Sequence, residues 1–321
     1  MTQPVLLFSG QGSQQAGMGR DIAESSAEGM DFWKQAERAS RLPLREIYWE
    51  GDEAAMGDTR ALQPALTVVN LNLWREMSRL VFPLGAAGHS LGEFSALAAA
   101  GALDPATVLK LTALRGHLMA EADSEGRGGM AALLKVDESR AAEIVAEVLA
   151  EIPELLLIAN YNTPTQFVVS GGKGAVALAC KKAKARGGRG IELKVSGAFH
   201  SPMMREAAVE FAVALRKAHW MKPRFPVYCN LRGRAAHDVE SLKENLLAQM
   251  TSPVRWTETI RSQYADGARR WLELGPKSLL GRMVEACLGG PATQGESIRC
   301  DFVGDLAGVM SFLSGRTGAG D

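Results

Sequence analysis

Residues 88–92 read Gly-His-Ser-Leu-Gly, a serine with glycines at minus two and plus two. The run fits G-x-S-x-G, where a serine on a sharp strand-to-helix turn projects its hydroxyl into a cleft. Glycines there let neighbouring backbone pass closely. Ser90 would then be a nucleophile near the positive end of the following helix. The alternative is a serine that only caps that helix within a Gly-rich turn. A serine nucleophile needs a base and donors for the oxyanion. There are five histidines. His89 adjoins the serine and is expected to point elsewhere. His117 and His219 fall in helical pattern, and His237 in a polar loop. His200 follows a predicted strand in KVSGAFHSPMM, and loops after strands are where sheet enzymes place catalytic groups. Spacing alone favours His200 only slightly.

The loop SGQGSQQAG, residues 9–17, is the candidate for a second oxyanion donor, beside the N–H that follows the nucleophile. It is not G-x-G-x-x-G, because Gln15 stands at the third glycine's position, and no G-K-[ST] follows it. GGKG at 171–174 fails the same test. Nucleotide-cofactor readings therefore lose ground. No H-E-x-x-H and no Cys/His cluster offers a metal site, so no metal and no cofactor is expected.

These residues need elements to carry them. PVLLF (4–8) reads as a buried strand that stops at Gly10. Helical pattern begins near Asp21, and residues 62–80 carry apolar side chains at helical spacing. VFPLGAAG (81–88) is short and apolar and predicts a strand ending at Ser90. EFSALAAAGAL predicts a helix whose alanines allow close packing on the sheet, with Gly101 as C-cap. Asp104-Pro105 opens a further helix over 104–122. DSEGRGG (123–129) reads as a linker, and the pattern beyond it is β-α-β-β-α-β, ending in RGIELKVS. FPVYCN and RWLEL predict later strands, with helices between and after them, and the tail SGRTGAGD is expected to be disordered. The fold class expected is α/β. An α/β-hydrolase-like large domain, 1–128 and 197–321, would hold a mainly parallel sheet. A ferredoxin-like small domain would be inserted at 129–196.

Composition narrows the partners. Lys plus Arg equals Asp plus Glu, 36 each, so no global field favours nucleic acid or an anionic membrane. The 321 residues allow a substantial core. Four widely spaced cysteines form no C-x-x-C pair and are expected to be reduced thiols. The N-terminus lacks a basic n-region, and no stretch reaches the ~18 apolar residues of a membrane span. A soluble, cytoplasmic protein is expected. Residues 180–189, CKKAKARGGR, are the most basic run. It reads either as a docking patch or as a solvated helix end whose cations suit the helix dipole.

GQGSQ (10–14), QPAL (63–66), GHSLGE (88–93), Arg115-Gly116, GAFHSP (197–202), SPVRW (252–256) and ELGP (273–276) occur in this order. Together they resemble the malonyl-CoA:acyl-carrier-protein transacylase family, from about residue 5 to 285. The resemblance implies that Ser90 carries the acyl group, with His200 as base and then acid. Backbone N–H groups of Gln11 and Leu91 would hold the oxyanion. Arg115, otherwise read as a surface charge, would pair with the malonyl carboxylate. The base would be oriented by the main-chain carbonyl of Gln249. Asn162 matches a position near that histidine. Phe199 would crowd an α-methyl branch, where the bland reading is core packing. The implied reaction is ping-pong, from malonyl-CoA to acyl carrier protein, in fatty acid biosynthesis and by a monomer. An acyltransferase subunit serving malonate decarboxylase or polyketide assembly would use the same chemistry. A serine thioesterase is disfavoured by Arg115 and the inserted domain, and a non-catalytic docking subunit by intact Ser90 and His200. YCNLRG (228–233) matches the family less well and is given no role.

Overall fold

The computed structural model describes residues 3–51, 53–289 and 296–317. Its ten strands are β1 (Val5–Phe8), β2 (Gly85–Gly88), β3 (Gly128–Leu134), β4 (Leu156–Thr163), β5 (Gln166–Gly172), β6 (Arg189–Glu192), β7 (Val227–Cys229), β8 (Arg234–Ala236), β9 (Arg270–Leu274) and β10 (Arg299–Val303). Six form one sheet in the order β10-β9-β1-β2-β7-β8. Its pairs are parallel except the β7–β8 hairpin. The other four form an antiparallel sheet in the order β4-β5-β3-β6. No helix among the described residues is long and apolar enough to cross a membrane.

The VLLF of β1 is buried at every position, as expected of a strand covered by helices on both faces. The GAAG of β2 has side chains so small that helix Gly92–Ala99 lies almost on the strand, and every residue of that helix is buried. Helix Thr59–Met77 starts three residues before the predicted run, because Asp58 accepts from the Arg60 N–H and caps it there. Helix Pro105–Glu121 opens as expected, with Asp104 accepting from Thr107 and Pro105 in the first turn.

Several expectations are corrected. Val81–Pro83 stay outside the sheet, where Pro83 has no N–H to give a ladder, and β2 begins at Gly85. RGIELKVS forms a strand only over Arg189–Glu192, after which the chain turns away and Leu193 and Val195 line a cavity. The 123–129 linker is a pinned turn: the Asp123 carboxylate accepts from the N–H groups of Arg127 and Gly128. His219 lies just beyond helix Arg205–Lys217 rather than on it. Strands β8 and β10 were not anticipated. Ser314–Thr317, expected to be disordered, close the helix Leu306–Thr317, and residues 318–321 lie outside the described residues.

The two sheets are joined by main-chain bonds. Tyr161 N–H donates to Val254 O at 2.9 Å and Val254 N–H to Ala159 O at 2.8 Å, so the β4 edge pairs with a segment tied to the larger sheet. Packing is tight at the β2 turn. A Cβ on Gly88 would sit 1.9 Å from the carbonyl carbon of Gly92, and one on Gly92 2.1 Å from Phe8 O. Backbone that close has no room to yield. Gly88→Ala is therefore expected to destabilise the protein by about 3 kcal/mol, read from the urea midpoint. An unchanged midpoint would show that the turn can open.

Candidate active site

β2 ends at Gly88, and the chain turns through His89, Ser90 and Leu91 into helix Gly92–Ala99. Ser90 takes the corner with φ of 50°, a left-handed conformation that costs a non-glycine residue about 1 kcal/mol or more. Its Oγ lies 2.8 Å from His200 Nε2. His200 is itself left-handed, with φ of 57°, and is buried. Its Nδ1 faces two main-chain carbonyls, Gln249 O at 3.0 Å and Ser252 O at 3.1 Å. Carbonyls only accept, so Nδ1 carries the proton and the Nε2 lone pair faces the serine hydroxyl. Burial, and then the positive charge of Arg115, pull the imidazole pKa down to about 3. The ring is neutral at physiological pH.

Arg115 is not a surface charge. It projects from helix Pro105–Glu121 and is only 1% exposed. Its Nη1 donates to Gln63 Oε1 at 2.9 Å. Its Nη2 donates to Gln249 Oε1 at 3.1 Å and to Ser90 Oγ at 3.3 Å. The guanidinium lies 5.6 Å from the centre of the Phe94 ring, and its buried Nε has no partner. Burial lowers its pKa to about 10, which leaves it charged at neutral pH. A full cation is thus held by two neutral amide oxygens.

Gln11, in the turn after β1, and Leu91, after Ser90, both line the same cavity of about 200 Å³. Neither main-chain N–H has a protein acceptor among the described residues. Phe199 lines that cavity too and is 5% exposed. Asn162 also reaches it, but its Oδ1 bonds His89 Nε2 at 2.8 Å rather than His200. His89 was expected to point elsewhere. It lines the cavity, with its ring edge-on to Trp256 at 5.3 Å.

Three contributions were not read from the sequence. Glu93 is buried, and its Oε2 accepts from Gln249 Nε2 at 2.8 Å and from the Asn230 N–H at 3.3 Å. Burial raises its carboxyl pKa to about 7 against those bonds and the Arg115 charge. The Gln249 side chain also donates to Ser90 O at 3.0 Å, beyond the main-chain role expected of it. Asn230 bonds the Ser90 main chain from the end of β7. For Asn230 the only available signal was its position after a strand, and the sheet order that sets β7 beside β2 is not written locally. Two of the five cations in the basic run are paired with carboxylates of the neighbouring helix: Lys182 with Glu147 and Glu151, and Arg186 with Glu147.

A depressed imidazole pKa has a directional consequence. The base stays unprotonated above about pH 3, so the acid limb of an ordinary histidine near pH 6.5 is absent. The rate of acyl loading onto the protein is expected to stay level from pH 8 to pH 5. It would be measured in Glu93→Gln, where the neighbouring carboxyl is silent. A fall with a midpoint near 6.5 would mean that His200 titrates normally.

Comparison with known proteins is consistent with this geometry. The acyl transferase domain family matches residues 5–307. The malonyl CoA-acyl carrier protein transacylase of Haemophilus influenzae is 36% identical over 319 residues, covering 98% of this chain and 100% of the relative. The protein of that name from Synechocystis is 39% identical over 283 residues, covering 88% and 92%. A solved malonyl-transacylase in complex with a type II polyketide acyl-carrier protein superposes with a TM-score of 0.89 at 31% identity, covering 98% of this chain and 100% of that one. The chain belongs to the acyl transferase domain family, among the malonyl-CoA:acyl-carrier-protein transacylases.

Proposed function

We propose that this protein moves a malonyl group from coenzyme A to the phosphopantetheine thiol of an acyl carrier protein, by a ping-pong reaction through a malonyl ester of Ser90. The observation that carries this reading is Arg115: a buried cation 3.3 Å from Ser90 Oγ, held only by neutral amide oxygens and the serine hydroxyl. A planar guanidinium in that place suits a free carboxylate carried on the acyl group. An enzyme for plain esters has no use for it.

In the first half-reaction His200 Nε2 takes the proton from Ser90 Oγ as the oxygen attacks the thioester carbonyl. The main-chain N–H groups of Gln11 and Leu91 receive the oxyanion. The intermediate collapses, the C–S bond breaks, and the imidazolium returns its proton to the leaving coenzyme A thiolate. While charged, the imidazolium is steadied by the Gln249 and Ser252 carbonyls at Nδ1 rather than by a carboxylate. In the second half-reaction the carrier thiol gives its proton to His200 and attacks the malonyl ester; the ester C–O bond breaks, and the imidazolium returns the proton to Ser90 Oγ. Phe199 narrows the space beside the α-carbon, and one methyl group there is worth about 1–3 kcal/mol of discrimination. Asn162 acts through His89, as part of the cavity wall.

We read the antiparallel unit over 129–196 as a ferredoxin-like small domain inserted into an α/β-hydrolase-like large domain. The strand order β4-β5-β3-β6 with two helices supports that reading. Its inner face lends Met130, Ala132 and Val168 to the cavity, which shields the ester from water. Fatty acid biosynthesis is the pathway proposed. Polyketide assembly is the second reading, favoured by the likeness to a transacylase solved with a polyketide carrier protein.

Intact-mass spectrometry after mixing with malonyl-CoA tests the proposal. A malonyl adduct is expected on wild type and not on Ser90→Ala, and added carrier protein should discharge it. An adduct lost to water equally fast without carrier protein would make the protein a hydrolase. Arg115→Ala is expected to lose malonyl transfer by about 100-fold or more while its activity on acetyl-CoA rises relative to malonyl-CoA. Equal loss on both substrates would make Arg115 a packing residue.

A further inference from the structure

Asn230 is fully buried at the C-terminal end of β7, outside every motif that suggested the site. β7 pairs with β2 only through Ala86–Val227 and Ala87–Tyr228. Beyond Ala87 the main-chain ladder stops, because β2 bends away into the Ser90 corner. The Asn230 side chain spans the bend in its place. Its Oδ1 accepts from the Ser90 N–H at 2.7 Å, and its Nδ2 donates to Gly88 O at 2.8 Å. The residue is fixed in turn by its own main chain. Its N–H donates to Glu93 Oε2 at 3.3 Å, and its carbonyl accepts from the Arg255 N–H at 2.9 Å. Every polar group of Asn230 is thereby engaged.

We propose that Asn230 is a positioning residue for Ser90, a clamp on Gly88 O and Ser90 N–H that holds the serine in its left-handed conformation. The inference rests on the reading of Ser90 as the acyl carrier. The left-handed corner is strained for a serine, and a relaxed backbone would swing Oγ away from His200 Nε2 and turn the Leu91 N–H out of the cavity. Only a group that both accepts and donates can bridge a carbonyl and an N–H two residues apart. An amide does so without charge, which suits a place beside a buried carboxyl.

The test uses the full chain, malonyl-CoA, single-turnover acylation followed by mass, and thermal unfolding of each variant. Asn230→Ala is expected to acylate about 100-fold more slowly while KM stays within about threefold, because the substrate's contacts are untouched. Asn230→Asp supplies the sharper readout. A protonated carboxyl reproduces the amide, with its O–H to Gly88 O and its C=O to the Ser90 N–H, whereas the carboxylate cannot donate. Burial raises that carboxyl's pKa, so acylation by Asn230→Asp should be near normal at low pH and fall as pH rises through it. If Asn230→Ala acylates at the wild-type rate, or Asn230→Asp follows the wild-type pH profile while folded, the proposal is overturned and the acyltransfer reading stands. If wild type carries no adduct on Ser90, the acyltransfer reading fails and takes this one with it.

Discussion

The site depends on a positive charge that the protein does not neutralise. Arg115 is removed from water, yet among the described residues its N–H groups bond only Gln63, Gln249 and Ser90. The one carboxyl whose field reaches it, Glu93, keeps its own bonds for Gln249 and Asn230, and its raised pKa leaves it partly protonated near neutral pH. A substrate carboxylate supplies what is missing. Unit charges about 4 Å apart at an effective dielectric near 20 attract by about 4 kcal/mol, against about 1–3 kcal/mol for one methyl group in a crowded pocket. Choice of a carboxylated acyl group therefore outranks rejection of an α-branch, and Arg115 outweighs Phe199 in specificity. The same charge lowers the basicity of His200. A carboxylate bound to Arg115 cancels that field, so the base strengthens when the right acyl group is present.

Gln249 ties this charge to the rest of the machinery. Its main-chain carbonyl orients His200, its side-chain oxygen holds Arg115, and its amide nitrogen reaches Ser90 O and Glu93. One residue thereby contacts the base, the carboxylate clamp and the nucleophile's backbone. The main-chain contact is available to any side chain, and the other three need an amide. Uncharged amides at 63 and 249 hold the cation without quenching the field that the acyl carboxylate is to meet.

The sequence was most readable where the chemistry is local. The strand-to-helix turn at G-x-S-x-G, the alanines of the helix after it and the Asp104-Pro105 cap each act within a few residues, and the turn and both helices lie where they were expected. His200 was only weakly marked, because its significance comes from meeting Ser90 across 110 positions. Arg115 was harder still. Read alone, an arginine on a helix is a surface charge, and only packing against helix Thr59–Met77 turns it inward. Asn162 was read as lying near His200; it lines the same cavity and bonds His89, and an asparagine's reach does not say which of two histidines it meets. Asn230 was marked only by its place after a strand, and the Gln249 side chain not at all. Their roles exist only once β7 lies beside β2 and the segment after helix Val239–Gln249 folds over the serine.

The parallel sheet explains why these scattered residues converge. In open parallel sheets the loops after the strands share one edge, and ligands bind there. Here β1 leads to Gln11, β2 to Ser90 and β7 to Asn230, on three adjacent strands. β9, on the far side of β1, adds a fourth element less directly. Its Glu273 is buried, and the carboxylate accepts from the N–H groups of Leu279, Leu280 and Gly281 and from the Ser278 hydroxyl. Those are the free donors at the start of helix Leu280–Leu288, and a carboxylate there also meets the positive end of the helix dipole. Leu279, Leu280 and Met283 then line the cavity together with Met130 and Ala132 of β3 and Val168 of β5. A charge placed within a strand thus fixes a helix that carries no reacting group, and the helix completes the apolar wall in which the single cation of Arg115 is felt at full strength.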